Sequence, residues 1–376
     1  MRFLTAGESH GEAVAAIIEG FPKGVRVEAS FINRELKRRM QGYGRGKRME
    51  IESDAVKIIS GLRNKISLGS PICMIVENKD HKIFTQEKDN LETLRVPRPG
   101  HADLAGYLKY QDPDLRNILE RASARETVAR ICIGAVCKQL LSCFDIGVVS
   151  FVAGVGGVVS KVWPKNIDEI IRKTLASKLA SIDSKKEKAM IKEIDRAKKR
   201  KDTVGGIVTV WAEGVPAGLG SVMHFDRRLD SKIASYLMSI PSVKAVEIGA
   251  GFDYARTSGS FSHDAICFSK SKGFWRGTNH SGGIEGGMSN GSPIVATIAV
   301  KPIPTLQRPL ASVNILTKKR EKAPVVRSDV CVVEAAGVIA ENMLAACLAD
   351  SLLEKAASDS LSELKKNIKR SKITPR

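Results

Sequence analysis

Two stretches of this 376-residue chain are apolar on nearly every side, and any fold it adopts must bury both. The first is residues 123–141, SARETVARICIGAVCKQLL, in which Val128, Ala129, Ile131, Cys132, Ile133, Ala135, Val136 and Cys137 leave no polar stripe. The second covers about 333–353. A surface helix keeps a polar face, so a helix apolar all round belongs in a core. Ser123 and Glu126 have the S-x-x-E spacing of a capping box, which predicts a helix start at 123. The first turn of a helix offers unpaired N–H groups and partial positive charge, and Arg121, Arg125 and Arg130 stand around it. That end suits an anion; the plainer alternative is a core helix with solvated arginines.

Around these helices the same markers recur in the same order. Ile18-Glu19-Gly20-Phe21-Pro22-Lys23-Gly24 is echoed by Ala212-Glu213-Gly214-Val215-Pro216-Ala217-Gly218, and Gly69-Ser70-Pro71-Ile72 by Gly291-Ser292-Pro293-Ile294. These echoes predict an internal duplication within a single domain, with half-repeats at about 1–160 and 204–355. Residues 165–203, rich in alternating Lys and Glu, read as a connector of two exposed, charge-laced helices, and 356–376 as a basic tail. Two such halves would pack as one pseudo-symmetric unit with a site between them.

Chemistry gathers in the loops. Residues 3–22 read as strand, hinge and strand, the hinge being Gly7-Glu8-Ser9-His10-Gly11. His10 is either a turn histidine or a functional one. A helix is predicted over 31–40 with Asn33 as its cap, then a glycine-rich run carrying Arg39, Arg45 and Arg48, whose spacing fits neither a Walker A nor a dinucleotide motif. Guanidinium forks on such a loop match carboxylate and phosphate oxygens. A strand is predicted at 71–76. Arg98-Pro99-Gly100-His101-Ala102-Asp103 is a rigid turn presenting Arg98 and His101 together, with a helix from Asp103 to Tyr110 after it. Strands are predicted within 144–160. In the second half, residues 278–291 form a long glycine-rich loop, Lys301-Pro302-Ile303-Pro304-Thr305 a rigid cationic turn, and Arg327-Ser328-Asp329 precedes the second buried helix. Asp329 is either that helix's cap or a base.

The formal charge of +19 fits nucleic acid, a membrane surface or a polyanionic small substrate. With aromatics at 5%, stacking platforms for single strands are disfavoured, and much of the excess lies in the connector and tail. Hence neither nucleic acid nor membrane is expected as a partner. Seven cysteines, mostly within apolar runs and with no C-x-x-C pair, point to buried thiols in a reducing compartment, and the opening MRFLTAGESHG does not resemble a secretory leader.

Taken together, Gly7-Glu8-Ser9-His10-Gly11 with Glu19-Gly20-Phe21-Pro22, Arg121-Ala122-Ser123-Ala124-Arg125-Glu126-Thr127, and Arg327-Ser328-Asp329 resemble the three signatures of the chorismate synthases. Arg98-Pro99-Gly100-His101-Ala102-Asp103 and Gly282-Gly283-Ile284-Glu285-Gly286-Gly287 fit as well, and the match runs in order from residue 5 to about 350. The resemblance implies an α/β fold, a pseudo-symmetric sandwich of β-sheets with buried helices between them, assembled as a cytoplasmic homotetramer. It implies a lyase converting 5-enolpyruvylshikimate 3-phosphate to chorismate and phosphate by trans-1,4-elimination, with reduced FMN and no net redox change. NADPH would be the source of flavin reduction, either on this chain or through a separate flavin reductase.

By the same resemblance, His10 would protonate the leaving phosphate, His101 would set protonation beside the flavin, and Asp329 would accept a proton near flavin N5. Arg39, Arg45, Arg48, Arg98 and Arg125 would hold the substrate's anionic groups, with His10, Ser123 and Ala124 beside them. Arg39 and Arg45 also match nicotinamide-cofactor positions. Arg121, Ala122, Ser123, Gly286, Lys301, Pro302, Ile303, Pro304, Thr305 and Arg327 match FMN-contacting positions. Two departures stand out: Pro241-Ser242 where the family has Asn-Ala, which removes a side-chain amide from an FMN contact, and Ser67-Leu68-Gly69 in place of Thr-Thr-Gly, a packing matter.

Overall fold

Burial alternates along residues 2–6 and 13–19, as in strands with one covered face, and these segments pair as β1 (Arg2–Ala6) and β2 (Ala13–Glu19), with Arg2 opposite Glu19 and Ala6 opposite Ala15. Strands β3 (Val56–Ile58) and β4 (Ile72–Glu77) complete an antiparallel sheet in the order β1-β2-β4-β3. A second antiparallel sheet holds β5 (Gly147–Val155), β6 (Gly206–Glu213), β7 (Val243–Ile248) and β8 (Ile294–Val300), in the order β5-β6-β8-β7, with the short strand Val158–Val159 at the β5 edge. The two orders are the same. The computed structural model describes residues 1–45, 54–79, 81, 93–271, 273–325 and 329–371.

The echoed turns are also built alike. Gly20 and Gly24 have φ of 74° and 94°, and Gly214 and Gly218 both have 83°, a region that side chains disfavour. Ser67 Oγ donates to the Pro22 carbonyl (2.6 Å) and accepts from Val25 N (2.9 Å). Ser289 Oγ donates to the Pro216 carbonyl (2.6 Å) and accepts from Leu219 N (2.8 Å). A hydroxyl at 67 is thus what the turn uses, and serine supplies it as threonine would.

The longer helices among the described residues are α1 (Ala29–Met40), α2 (Asp103–Tyr110), α3 (Leu115–Ala122), α4 (Thr127–Ser142), α5 (Ile167–Leu175), α6 (Ser184–Lys199), α7 (Leu229–Met238), α8 (Val333–Ala356) and α9 (Leu361–Ser371). Helices α4 and α8 are the two apolar stretches. They pack on each other, α4 against β2 and β4 and α8 against β5 and β6, so both lie inside the core. Helix α8 is long and apolar enough to cross a bilayer, but 89% of that span is buried within the protein, as in a core helix. The approach of α4 to α8 is close because of Gly134: a Cβ there would lie 2.3 Å from both the Asn342 Cβ and its carbonyl oxygen. Gly134→Ala is therefore expected to lower stability by about 1–3 kcal/mol, although alanine is the better helix former. A thermal melt against wild type checks it; an unchanged or higher midpoint would contradict the packing.

Several sequence expectations change. Helix α4 begins at Thr127, not 123: α3 ends at Ala122, Ser123 breaks the chain, and a short 3-10 turn, Ala124–Glu126, intervenes. Ser123 Oγ accepts from Arg125 N, while Glu126 turns to Thr5 and Arg130, so no capping box forms. Helix α1 starts at Ala29 with Glu28 at its cap, and Asn33, inside the helix, accepts from Val56 N (2.9 Å). Strand β5, counted with the first half in the sequence, hydrogen-bonds into the second sheet, so the connector interrupts the second half after its first strand. Both connector helices form, yet Ile170, Met190 and Ile194 are buried beneath their charged faces. Within the segment read as a basic tail, α9 docks on the core through Leu364 and Ile368. All seven cysteines are free thiols, four of them buried.

Candidate active site

The turn between β1 and β2 carries His10. It closes through Gly7, whose φ is 107° and where a Cβ would lie 2.4 Å from the Ala13 carbonyl oxygen. Asn78, just past β4, pins the turn by donating to the carbonyls of Gly11 (2.7 Å) and Glu8 (3.2 Å). Glu120, in the last turn of α3, takes both ends of His10: the backbone N–H (2.8 Å) and the ring Nδ1 (2.7 Å). A carboxylate can only accept, so Nδ1 carries the hydrogen. Ser9 N donates to the Glu120 carbonyl and Ser9 Oγ to Ser123 Oγ (3.0 Å), tying the turn to the start of the second signature.

Arginines line the same junction. Arg125 donates to Asn78 Oδ1 (2.6 Å) and Asp54 (2.8 Å). Arg39, buried on α1, donates to Thr127 Oγ1 and the Ala124 carbonyl, both at 2.9 Å, and lies 3.9 Å from Asp54. Arg121 donates to the carbonyls of Thr5 and Gly7, which places Ala122, Ser123 and Ala124 directly beside the His10 turn.

A second group forms at the 98–103 turn. Arg98 donates through Nε (2.8 Å) and Nη2 (2.9 Å) to Asp103, and His101 Nδ1 lies 2.5 Å from Asp103 Oδ1. Asp103 is fully buried, which alone would raise its pKa; the bonds from His101 and Arg98 outweigh this and hold it far below the usual carboxylate range. Lys301 Nζ donates to the Gly100 carbonyl, bringing the Lys301-Pro302-Ile303-Pro304-Thr305 turn onto this group. Lys301 N in turn donates to the Ser242 carbonyl (2.8 Å), so Pro241-Ser242 sits here too. Ser242 has φ of 73°, a conformation that asparagine tolerates better than serine.

The third group is Arg45 with Asp329, 2.7 Å apart. Asp329 is not the cap of α8, whose N-cap is Val332. Val330 N donates to the Gly44 carbonyl (2.9 Å), holding the Asp329 segment against the Arg45 loop. Thr305 and Asp329 border a common cavity of about 20 Å³, room for about one water, so the 301–305 turn stands between the second and third groups. Gly286 lies elsewhere, with Val222 and Met288 as its neighbours. Arg48 and Arg327 lie outside the described residues. Among those residues no cluster of His, Cys, Asp and Glu has the make-up of a metal site.

Sequence reasoning missed Glu120 and Asp54, and named Asp103 without giving it a role. Glu120 did leave a signal: an acid in a helix's last turn opposes the helix dipole, so it needs another reason to be there.

The family model for chorismate synthase matches residues 1–353. The chain belongs to the chorismate synthase family. It is 48% identical over 380 residues to chorismate synthase 2 of Bacillus cereus, covering 98% of this chain and 97% of that one. It is 50% identical over 368 residues to the chorismate synthase of Thermoanaerobacter pseudethanolicus, with the same coverage. A crystal structure of chorismate synthase superposes with a TM-score of 0.80 at 40% identity, over 98% of this chain and 96% of that one. Chorismate synthases are lyases that form chorismate, the last step of the shikimate pathway.

Glu120→Gln tests how His10 is held. The amide keeps the shape but offers one acceptor where the carboxylate offered two. Turnover is expected to fall about 10–100-fold with the melting temperature little changed; unchanged turnover would show that the pair does not orient His10.

Proposed function

We propose that this chain converts 5-enolpyruvylshikimate 3-phosphate to chorismate and phosphate by trans-1,4-elimination, with reduced FMN bound beside the substrate. The observation that carries the proposal is the His10–Glu120 pair, set against Ser9, Ser123 and Arg125 at one junction. In the reaction the C–O bond to phosphate and a C–H bond at C6 both break. Loss of phosphate needs a proton and a positive field where charge develops. His10, its Nδ1 engaged by Glu120, gives the proton from Nε2, and Arg125 supplies field. Asp329, held by Arg45, takes up the proton lost from C6. His101, fixed by Asp103, holds the protonation state beside the flavin.

FMN, when bound, supplies transient electron density and regains it. The residues present fit its phosphate. Lys301, whose Nζ reaches the Gly100 carbonyl, is held below its ordinary pKa by burial first and by the charge of Lys244 second, so an anion bound there would relieve it. Ser242 and the 301–305 turn would hold that end through backbone groups. NADPH is the proposed source of reduction, delivered on this chain through Arg39 and Arg45 or by a separate reductase.

The matching sheet orders and serine turns support the duplication and a pseudo-symmetric sandwich. A cytoplasmic homotetramer is the proposed state. Phe252, Phe261, Phe268 and Phe274, exposed along residues 251–276, are apolar surface that such an assembly would cover. The function is tested by anaerobic incubation of the purified chain with chemically reduced FMN and 5-enolpyruvylshikimate 3-phosphate. Chorismate and phosphate are expected one for one. Flavin binding without product would instead favour a flavin oxidoreductase.

A further inference from the structure

The segment carrying Arg45 is held from outside by the charged connector. Tyr43 O–H donates to Asp195 Oδ1 of α6 (2.9 Å), and Tyr43 N donates to Glu334 Oε2 of α8 (3.3 Å). Between them Gly44, at φ 90°, stands so close to buried Ile194 that a Cβ would lie 2.9 Å from its Cγ2. The position of α6 is set by the core, since Met190 and Ile194 are buried and Asp183 caps its start through the N–H groups of Lys185 and Lys186. Residues 42–44 are thus gripped between α6 and the start of α8, and the grip ends one residue before the 2.7 Å pair of Arg45 with Asp329. A connector that served solubility alone would have no reason to place a carboxylate on this tyrosine.

We propose that Asp195 is a positioning residue: through Tyr43 it fixes the Arg45 guanidinium for the anionic substrate, making the connector helix the outer wall of the site. This deepens the function proposed above and rests on it for the reaction, with Arg45 taken as a holder of the substrate's anionic groups as well as of Asp329. A loosened Arg45 should therefore weaken substrate binding and, through Asp329, slow turnover as well.

The test uses the full chain carrying Asp195→Ala, Tyr43→Phe, both together, and Asp195→Asn. Kinetics are read anaerobically with reduced FMN, and hydrogen exchange of the peptide covering 41–45 is read without ligand. Asp195→Ala and Tyr43→Phe should each raise KM for 5-enolpyruvylshikimate 3-phosphate about tenfold and lower kcat by about three- to tenfold. The double variant should be no worse than either single one. Asp195→Asn, whose side-chain carbonyl still accepts from the tyrosine, should restore KM. In Asp195→Ala the 41–45 amides should exchange about tenfold faster while those of α4 do not change.

Wild-type KM in both single variants, additive effects, failure of Asp195→Asn to rescue, or unchanged exchange would each overturn the proposal. If the wild-type chain forms no chorismate yet Asp195→Ala still loosens the 41–45 amides, the function proposed above fails and the positioning role stands.

Discussion

Glu341→Ala is expected to destabilise the protein by about 3–5 kcal/mol, the largest effect of any single substitution considered. Glu341 is fully buried on α8, yet four groups meet it. Arg38 of α1 donates to both its oxygens (2.8 and 2.7 Å), Lys138 of α4 donates to Oε2 (2.6 Å), and Ser150 of β5 gives its N–H and hydroxyl to Oε1 (2.9 and 2.8 Å). Glu35 of α1 shares Arg38 and Lys138, and Asn342 donates to it (3.0 Å). The network therefore ties α1, α4, α8 and the second sheet through one carboxylate. Removing that carboxylate leaves buried Lys138 with a single acid and Ser150 N–H with none.

The same residue predicts the acid limb of stability. Burial alone would raise the Glu341 pKa, but the charges of Arg38 and Lys138 outweigh it and hold the carboxyl below its ordinary value of 4.5. A carboxyl lowered on folding stabilises the native state in full above its unfolded pKa and loses that contribution as the pH falls toward the folded one. Wild type should lose stability as the pH drops below about 4.5, while Glu341→Gln, already weaker at neutral pH, should lose less over that range. Urea midpoints at several pH values check both points; parallel curves would show that the network does not carry charge.

His10→Ala is expected to lower kcat by about 10²–10⁴-fold with KM changed only a few-fold, because a general acid, the role proposed for His10, acts in the transition state. Its Nδ1 is engaged 2.7 Å from Glu120, so the alanine variant also strips Glu120 of its purpose at the ring. His10→Ala combined with Glu120→Gln should therefore be no slower than His10→Ala alone. A rise in KM with kcat unchanged would make His10 a binding residue, and the proton would have to come from elsewhere.

What the sequence made legible was local or repeated. The buried helices announced themselves because apolar residues filled every face of 128–141 and 333–353, and the two like-built turns because the same proline and glycine pattern recurs. The 98–103 turn was legible because Pro97 and Pro99 confine the backbone at its start. What stayed hidden was pairing across distance. Glu120 lies 110 residues from His10, and Asp195 lies 152 from Tyr43, so neither partner could be chosen from among 41 acids without the fold. Local rules also lost to tertiary ones. Ser123 and Glu126 had capping-box spacing, but Glu126 is taken by Thr5 and Arg130, and Asn33 by a strand. The connector read as solvated because its charges are, and the buried face of Ile194 was too narrow to show through them.

The number of chorismate molecules formed per reduced flavin supplied, under strict anaerobiosis and with no further reductant, tests the proposed reaction most directly. An elimination with no net redox change predicts many products per flavin, with the flavin still reduced at the end. One chorismate or fewer per flavin, with the flavin oxidised in step, would contradict it.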